Sequence, residues 1–416
     1  MKESKTLSTD VVVVGGGMVG SLTAAALACC GVDVIVLEQQ APTEYQSALH
    51  DLRVSAISVA TERMFAAVGA WPYIEAMRTC PFRRMLVWDS ETEAKTQFDS
   101  AKIGCEHLGH IVENNVIQLG LWQRLQSLDN VNIRCPTRIV DLIVESDSAI
   151  VELDDQTKVR ASLIVAADGA RSMVRSLAGI ETDSQYYEQH ALVATVRTLY
   201  PQQDITWQRF TPYGPQAFLP LTENRASMVW YQSAEFIDEL KSLSPEKFLQ
   251  CMQDEFPERL GSLESLIDVG SFPLSWQQAK QYVKPRIALV GDAAHSVHPL
   301  AGQGVNMGML DAAALIECIA ERFSGGADIG SLRTLRRYER WRKQNNALMI
   351  KMLDGIHHAF QPQNEGLPVS RVLRTAALNG AEKIGPLNSL CMKMAMGLVG
   401  DLPVLARGRL PEPSQA

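Results

Sequence analysis

Three glycines and an acidic residue near the amino terminus have the spacing of a dinucleotide-binding turn. Gly15, Gly17 and Gly20 separate a β-branched run from an alanine-rich run, and Glu38 follows a second apolar run. Such glycines permit a tight turn and let the backbone approach a pyrophosphate, which binds the amide groups at a helix start. Glu38 is placed to accept hydrogen bonds from a ribose diol. The turn predicts a nucleotide site and leaves both NAD and FAD open.

Two further apolar strands end in an acidic residue, which one dinucleotide-binding unit does not require. The run "ASLIVAA" is followed by Asp168-Gly169, and the run "RIALV" is followed by Gly291-Asp292. FAD has a ribityl chain and a ring system that must be held beyond the pyrophosphate. Asp292, at the end of its strand, is placed to bind a ribityl hydroxyl. The two strands therefore favour FAD.

The segment "HPLAGQGVNMGMLD", residues 298–311, places several glycines where a long helix begins. A glycine in a helix interior costs about 1 kcal/mol, but it is tolerated where the backbone approaches a ligand. The buried face of this helix is predicted at residues 305, 309, 312, 316, 319 and 323. We expect residues 299–304 to lie against the flavin ring, with the positive end of the helix dipole near its pyrimidine edge.

His298 has two interpretations. Its imidazole titrates near neutral pH and could assist deprotonation of a phenol. Alternatively, it hydrogen-bonds the backbone and shapes the turn. His295 and His298 have a spacing found in metal sites, but no carboxylate or thiol is spaced to complete such a site. The sequence therefore predicts no metal.

The elements that position these residues define the expected fold. Alternating apolar residues over 186–232 predict antiparallel strands, and the nucleotide-binding segments predict alternating strands and helices. We predict an α/β fold with a Rossmann-like FAD-binding domain, an antiparallel β-sheet substrate domain and a helical C-terminal segment. The predicted boundaries are 1–79, 115–180 and 281–345 for the discontinuous FAD-binding domain, 80–114 and 181–280 for the substrate domain, and 346–416 for the helical segment.

Composition narrows the class of partner and the compartment. The 416 residues carry a net charge of −8, which argues against nucleic acid, and the basic segment 333–343 is interpreted as a solvated helix face. The eight cysteines form no CxxC pair, which is typical of a reducing compartment, so we expect a cytoplasmic protein. The apolar run 11–32 is interpreted as a buried strand, turn and helix, because its glycines divide it.

Aromatic residues in the predicted substrate domain have two interpretations. Tyr213, Phe218, Trp230 and Tyr231 could line an aromatic pocket, or they could fill the core behind the sheet. Only some of them are therefore expected to touch a substrate.

An apolar helix face is predicted near the carboxyl terminus. Leu387, Leu390, Met394 and Leu398 have helical spacing. Such a face is suited either to a membrane interface or to docking on the protein's own surface.

The motifs resemble those of the flavoprotein aromatic hydroxylases of the p-hydroxybenzoate hydroxylase type. The glycine turn and the two acid-terminated strands carry this resemblance, in the same order, over nearly the whole chain. Residues 298–311 and "DLRVSAIS" (51–58) are similar to segments of the ubiquinone-biosynthesis hydroxylases within that group. Residues 76–84 and 207–221 most resemble the branch that hydroxylates the demethoxyubiquinol ring, 2-polyprenyl-3-methyl-6-methoxy-1,4-benzoquinol.

The resemblance implies a single-component FAD-dependent monooxygenase. NAD(P)H would reduce the flavin, O₂ would give a flavin C4a-hydroperoxide, and one oxygen atom would pass to an electron-rich ring. It also implies a polyprenyl phenol or quinol substrate, other ubiquinone-biosynthesis proteins as partners, and peripheral contact with the inner membrane. A homo-oligomer is a further expectation. The alternatives are hydroxylation at another ring carbon, another FAD-dependent oxidoreductase reaction, and a non-catalytic flavin-fold subunit.

The resemblance also assigns roles to individual residues. Arg53 would contact FAD near the active site. Arg171 and Arg175 are candidates for contact with NAD(P)H, or they are surface arginines that cap a helix. Candidate catalytic roles fall to His298 and Pro299. The residues expected to bind the cofactor are Gly15, Gly17, Gly20, Glu38, Arg53, Asp168, Gly291, Asp292, Pro299, Ala301, Gly302, Gln303, Gly304 and Asn306.

Overall fold

The structure of this protein is a computed structural model. It describes residues 5–92, 94–201, 203–256, 261–297, 302–359 and 368–412. His298, Pro299 and Ala301 of the predicted site lie outside the described residues.

The secondary structure alternates between strands and helices in the first half of the chain. The strands are β1 Thr6–Val14, β2 Val34–Leu37, β3 Val54–Ser58, β4 Cys80–Phe82, β5 Arg84–Asp89, β6 Lys95–Asp99, β7 Gly109–Glu113, β8 Val131–Arg134, β9 Ile139–Val144, β10 Ala149–Leu153, β11 Lys158–Ala166, β12 Thr182–Thr198, β13 Ile205–Thr211, β14 Gly214–Leu221, β15 Arg225–Ser233, β16 Leu263–Ala279, β17 Val283–Lys284, β18 Ile287–Leu289 and β19 His295–Ser296. The helices are α1 Met18–Cys29, α2 Val59–Ala67, α3 Trp71–Met77, α4 Asn114–Gln126, α5 Met173–Leu177, α6 Ala234–Lys241, α7 Pro245–Glu255, α8 Gln303–Phe323, α9 Leu332–Ala359, α10 Pro368–Lys383 and α11 Gly385–Ala395.

The first sheet is mainly parallel and contains the glycine turn. Its strands lie in the order β17-β18-β11-β1-β2-β8, and β10 and β9 extend it from β11. Residues 11–14 and 34–37 are buried, because parallel sheets are covered on both faces and therefore contain continuous apolar runs. The apolar run 11–32 forms β1, the turn and α1, as predicted.

The second sheet, which we call the substrate sheet, has the order β19-β16-β12-β15-β14-β13-β5-β6. The strands predicted within 186–232 are β12 to β15, and they pair antiparallel. The two-residue strand β19 follows the Gly291-Asp292 turn and pairs with β16. The substrate sheet is thus joined directly to the segment that leaves the first sheet.

A third sheet is smaller and has three strands, which we call the small sheet. It has the order β3-β7-β4. The predicted boundary at residue 80 falls inside this sheet, because β3 precedes that residue and β4 and β7 follow it. The predicted architecture, an α/β flavoprotein fold with an antiparallel sheet and C-terminal helices, is confirmed.

The C-terminal helices pack on the edge of the substrate sheet. Thr96 donates a hydrogen bond to the Leu378 carbonyl at 2.6 Å, and the Gln97 amide donates to the Glu382 carboxylate at 2.6 Å. Met392 and Met396 are buried in a cluster with side chains of the small sheet. Among the described residues, no helix combines the length and apolar composition needed to cross a membrane.

Candidate active site

A cavity of about 610 Å³ is lined by residues of the substrate sheet and of the small sheet, and by residues that directly follow strands of the first sheet. Its lining also includes the starts of α1 and α8 and the turn after β18. The predicted site residues that line it are Gly17, Arg53, Asp292, Gly302 and Gly304. Three segments that are distant in the sequence, at Gly17, at Arg53 and at Asp292 with Gly302 and Gly304, therefore meet at one cavity.

The glycine turn after β1 is shaped by contacts that exclude a side chain. Gly15 has φ +103°, and a Cβ there would lie 2.3 Å from the Ala167 carbonyl oxygen. A Cβ at Gly20 would lie 1.9 Å from the Gly15 carbonyl oxygen. At Gly17, by contrast, a Cβ would have no heavy atom within 4 Å. Gly15 and Gly20 are thus required by the fold itself, whereas Gly17 is open to whatever occupies the cavity.

Glu38 is anchored beside this turn. Its carboxylate accepts hydrogen bonds from the Gly16 amide at 2.5 Å and from the Gln39 and Gln40 amides at 2.7 and 2.9 Å. The Gly16 carbonyl in turn accepts a hydrogen bond from the Trp122 indole at 2.7 Å. These bonds fix the Glu38 carboxylate next to the start of α1, where a ribose diol was predicted.

Two helices begin at the cavity without a side-chain cap. Gly17 precedes α1, and Gly302, with φ +62°, precedes α8; no described side chain caps either helix start. Helix starts carry partial positive charge and free amide groups. Their convergence produces a site that attracts anionic groups.

Gly308 allows α8 to pack closely on the nucleotide-binding elements. A Cβ at Gly308 would lie 2.9 Å from the Val19 side chain and 3.1 Å from the Gly291 Cα. The residues predicted as the buried face of α8 include Met309, Ala312 and Ile316, and all three are fully buried. The glycines of this segment therefore serve both the cavity and the packing of the helix.

Asp292 and Arg53 both line the cavity. The Asp292 side chain is exposed to the cavity, and the Arg53 guanidinium lies 5.5 Å from the centre of the Phe272 ring. The surrounding protein raises the pKa of Asp292, while the charges of His295 and Arg53 act in the opposite direction. A carboxylate and a guanidinium that both line one cavity suit a ligand with hydroxyl and carbonyl groups.

The segment that carries Arg53 is held by a buried ion pair. The Arg53 amide donates to the Asp51 carboxylate at 3.2 Å, and the Asp51 amide donates to Glu113 at 2.6 Å. Glu113 also accepts a hydrogen bond from the Arg78 guanidinium at 2.7 Å. Arg78 and Glu113 are both buried, so this pair sets the position of the cavity wall at Arg53.

Asp168 and Arg175 do not line the cavity. Their side chains bond to the start of α5 and to the turn after β18. Asp168 accepts hydrogen bonds from the Ser172 hydroxyl at 2.5 Å and the Met173 amide at 2.7 Å, at the start of α5. Arg175 is buried and donates to the Ala293 carbonyl at 2.9 Å. Arg171 is exposed, so of the two arginines considered for NAD(P)H only Arg171 is accessible.

Asn306 joins α8 to the small sheet. Its side-chain oxygen accepts hydrogen bonds from the Ser58 amide at 3.0 Å and the Thr61 hydroxyl at 2.8 Å. Its side-chain nitrogen donates to the Ala56 carbonyl at 2.8 Å. Because protein groups occupy the Asn306 amide, this residue acts on the cavity by positioning the start of α8 against β3.

A buried charged cluster under the Gly291-Asp292 turn was not predicted from the sequence. Asp311 accepts hydrogen bonds from Arg342 at 2.9 Å, from Asn346 at 2.9 Å and from the Gly291 amide at 3.3 Å, and it also contacts His295. Burial raises the pKa of Asp311, but His295 and Arg342 outweigh this effect and lower the pKa to about 2. The interpretation of 333–343 as a solvated face is therefore wrong at Arg342, which is 4% exposed.

The aromatic residues considered for the pocket lie on different faces of the substrate sheet. Tyr231 lines the cavity, and burial raises its pKa above the usual range, so it stays protonated. Trp230 and Phe218 belong to the core behind the sheet, and Tyr213 is 62% exposed. Adjacent strand residues point to opposite faces, which explains why Tyr231 reaches the cavity and Trp230 does not.

The cavity face of the substrate sheet is apolar with a few hydroxyl groups. Ala217, Leu219 and Val229 line it beside Thr206 and Ser227. Within the described part of the chain, the hydroxyls of Thr206 and Ser227 are buried and have no hydrogen-bond partner. An unsatisfied buried hydroxyl is unfavourable by about 1–3 kcal/mol, so both groups are suited to a ligand that supplies the missing bond.

The arrangement fits FAD. The cavity extends from Gly17 in the glycine turn, past the carboxylate at Asp292, to the start of α8. A single cavity that passes from one helix start to another suits an extended cofactor with a ring system, in agreement with the prediction of FAD over NAD.

Comparison with known proteins agrees with this geometry. The sequence profile of the family described as FAD binding domain matches residues 8–351. The 3-demethoxyubiquinol 3-hydroxylase of Escherichia coli is 40% identical over 391 residues, which cover 94% of this chain and 99% of that protein. The mitochondrial ubiquinone biosynthesis monooxygenase of Homo sapiens is 34% identical, with 93% of this chain and 92% of that protein covered.

Solved structures show the same fold. The p-nitrophenol 4-monooxygenase PnpA of Pseudomonas putida superposes with a TM-score of 0.76 at 22% identity and covers 95% of this chain and 99% of that structure. The sequence matches and the shared fold confirm the resemblance that the motifs predicted. The chain therefore belongs to the FAD binding domain family and, within it, to the ubiquinone-biosynthesis hydroxylases.

Proposed function

We propose that this chain hydroxylates the ring of 2-polyprenyl-3-methyl-6-methoxy-1,4-benzoquinol, with FAD as cofactor and NAD(P)H and O₂ as co-substrates. The observation that carries the proposal is the single cavity that joins two helix starts to the apolar face of the substrate sheet. When bound and reduced, FAD activates O₂ so that one oxygen atom can be transferred to an electron-rich ring. The protein's part is to orient the ring, hold the cofactor and exclude water.

The cofactor-binding roles follow from position along the cavity. We assign the pyrophosphate and ribose to the glycine turn and Glu38, and the ribityl chain and ring to Arg53, the Gly291-Asp292 turn and the α8 start. Asp168 and Asn306 contribute by positioning loops. His298 and Pro299 keep their proposed roles beside the ring. The proposed cofactor set is Gly15, Gly17, Gly20, Glu38, Arg53, Asp168, Gly291, Asp292, Pro299, Ala301, Gly302, Gln303, Gly304 and Asn306.

The quinol ring is proposed to bind against the hydroxyl groups of Thr206 and Ser227. A benzoquinol has two ring hydroxyls on an otherwise apolar head, which matches two unpaired hydroxyls in an apolar wall. These contacts would orient the ring while Ala217, Leu219 and Val229 keep water away.

Thr206→Val and Ser227→Ala should each lower kcat/KM for the quinol about 5-fold, mainly through KM, with FAD content unchanged. The loss of one net hydrogen bond of about 1 kcal/mol sets this magnitude. Removal of a buried, unpaired hydroxyl should at the same time keep or raise the Tm of the ligand-free protein. Steady-state kinetics and thermal unfolding of each variant measure the two effects.

Thr195→Val is the matched control for these two variants. The Thr195 hydroxyl is also buried and without a partner among the described residues, but Thr195 does not belong to the cavity lining given by those residues. It should therefore change stability without changing KM. Equal kinetic effects of all three substitutions would contradict the proposed ring position.

The polyprenyl chain is proposed to leave the cavity toward a membrane. A cavity of about 610 Å³ has the size of a site for one small ligand or cofactor ring, so a long chain cannot be enclosed with the ring. Phe82 and Ile111 line the cavity and belong to the same buried cluster as Met392 of α11 and Met396, which directly follows that helix. The outer face of α11 is thus one layer of side chains from the cavity.

The predicted apolar face of α11 is largely exposed. Leu387, Leu390 and Met394 are 37%, 45% and 42% exposed. We propose that this face contacts the surface of the membrane that holds the substrate. The opposite face of α11, which contains the buried Met392, packs on the rest of the protein.

Replacing Leu387 and Leu390 together with glutamate should reduce binding of the protein to phospholipid vesicles several-fold. The two charges would remove apolar area from the interface and resist burial in it. Co-sedimentation with vesicles measures the bound fraction, and activity on a water-soluble quinol without the prenyl chain should stay unchanged.

Val140→Glu provides the matched control for the membrane prediction. Val140 is 52% exposed, but it lies on β9 of the first sheet and not on α11. It should leave vesicle binding unchanged. An equal loss of binding in this variant, or none in the double variant, would contradict the proposed membrane face.

The proposed reaction is tested by a mass spectrum of quinone lipids from cells that lack this protein. Accumulation of a demethoxy-ubiquinone, reversed when the gene is restored, is the expected result. Accumulation of a less oxygenated phenol would transfer the reaction to another ring carbon. Normal ubiquinone in otherwise equivalent cells would contradict the proposed substrate.

A further inference from the structure

Three side chains that commonly bind metals meet on the outer face of the small sheet. Glu62 lies in the first turn of α2, His107 in the loop before β7, and His110 in β7. The Glu62 Oε2 atom is 2.6 Å from His107 Nε2 and 3.3 Å from His110 Nδ1. All three potential ligand atoms lie within 4.8 Å of one another.

This cluster is separate from the cavity described above. Ile111 lines the cavity, and successive residues of a strand point to opposite faces. His110 therefore points away from the cavity, where its ring packs against Trp71 and His107 at centroid distances of 5.0 and 4.5 Å. The proposed hydroxylation does not use any of the three side chains.

The cluster combines a buried, unsatisfied nitrogen with access from solvent. The His110 side chain is 8% exposed, and within the described residues its Nδ1 atom has no hydrogen-bond partner, since its approach to Glu62 lacks the required geometry. His107 and Glu62 are 17% and 20% exposed. An ion could enter from that side.

The protonation state of Glu62 suits a cation. Burial raises the pKa of its carboxyl, but the imidazoles of His107 and His110 outweigh this effect and lower the pKa to about 2.

We propose that Glu62, His107 and His110 bind a divalent transition-metal ion of the Zn²⁺ class, with a fourth position open to water. Two imidazoles and one carboxylate form a recognised ligand set for Zn²⁺, which prefers tetrahedral coordination at about 2.0–2.2 Å. Such bonds place the ligand atoms roughly 3.3 Å apart, a distance within the present spread of the three atoms. The ion would connect α2 to β7. This proposal differs from the expectation, based on His295 and His298, that the chain holds no metal.

The test uses the purified holoenzyme, cleared of metal with a chelator, incubated with excess ZnCl₂ and desalted. Metal analysis should find about one Zn²⁺ per chain in the unchanged protein, with a higher Tm than the metal-free form. His107→Gln and Glu62→Gln should each lose at least nine-tenths of this zinc.

His190→Gln serves as the control, since His190 lies in β12 of the substrate sheet, away from the cluster. It should retain the full amount of zinc. Flavin content identifies any variant that has not folded, and the near-isosteric Glu62→Gln keeps the test valid if His107→Gln fails to fold. Less than a tenth of an equivalent of zinc in the unchanged protein, or full retention by both cluster variants, would overturn the proposal.

Discussion

Gly17→Val is expected to give a folded but colourless protein whose affinity for FAD is at least about 100-fold below normal. The backbone at Gly17 has φ −69°, and a Cβ there meets no heavy atom within 4 Å. The fold itself therefore does not require glycine at this position. A valine side chain would occupy the space beside the first amides of α1, where we propose that the pyrophosphate binds. Flavin absorbance of the purified protein and titration of the apoprotein with FAD measure the effect.

Two other glycines provide the comparison. Gly355→Val, at an exposed position of α9 that also has no neighbour within 4 Å, should keep the flavin. Gly15→Ala should lose both flavin and stability, because its Cβ would overlap the Ala167 carbonyl and its φ is positive. The Tm of apo Gly17→Val should fall only slightly, by the effect of a poor residue before α1. A yellow Gly17→Val protein with normal affinity would contradict the proposed pyrophosphate position.

Local patterns predict the elements of this fold well. The β-branched run, the glycine turn and the alanine-rich run correspond to β1, the turn and α1, because each depends on neighbours within a few residues. The strands within 186–232 are predicted for the same reason, since alternation of apolar residues reflects which face is covered. The start of α8 at Gln303 follows from the glycines and the apolar stripe.

Contacts between distant residues are what the sequence does not reveal. The hydrogen bond from the Ser58 amide to the Asn306 side chain joins residues that are 248 positions apart, and no local pattern predicts it. The choice of Tyr231 over Trp230 as a cavity residue depends on which face of the sheet is covered. The cluster of Glu62 with His107 and His110 arises because α2 packs beside β7, and the spacing of the three residues gives no sign of it.

Asp311 is the residue that an available signal could have revealed. It interrupts the apolar stripe of α8 between Met309 and Ala312, and a carboxylate on a buried helix face requires a partner. Arg342, within the basic segment that was interpreted as solvated, is that partner. The pairing matters for function because Asp311 also binds the Gly291 amide next to Asp292.

Asp311→Ala is expected to lower the free energy of unfolding by about 3–5 kcal/mol and to weaken FAD binding. Its removal leaves the buried Arg342 and His295 without their carboxylate, and an uncompensated buried charge has a cost of this size. The Gly291 amide also loses its acceptor, so the turn that carries Asp292 loses one of the bonds that position it. Denaturant unfolding and FAD titration measure the two effects.

Glu145→Ala is the control that tests whether burial of the ion pair causes the loss of stability. It removes a carboxylate that pairs with Arg160 at 2.6 Å on the surface. Exposed pairs contribute at most about 1 kcal/mol, so this variant should be nearly as stable as the unchanged chain.

The pH dependence of the free energy of unfolding provides a second test of Asp311. The folded-state pKa of Asp311, about 2, lies below its ordinary value of 3.8, so its stabilising effect is complete above about pH 4 and is lost as the pH falls toward 2. The stability difference between the unchanged protein and Asp311→Ala should therefore shrink in that interval. A difference that stays constant would show that the charge of Asp311 does not stabilise the fold.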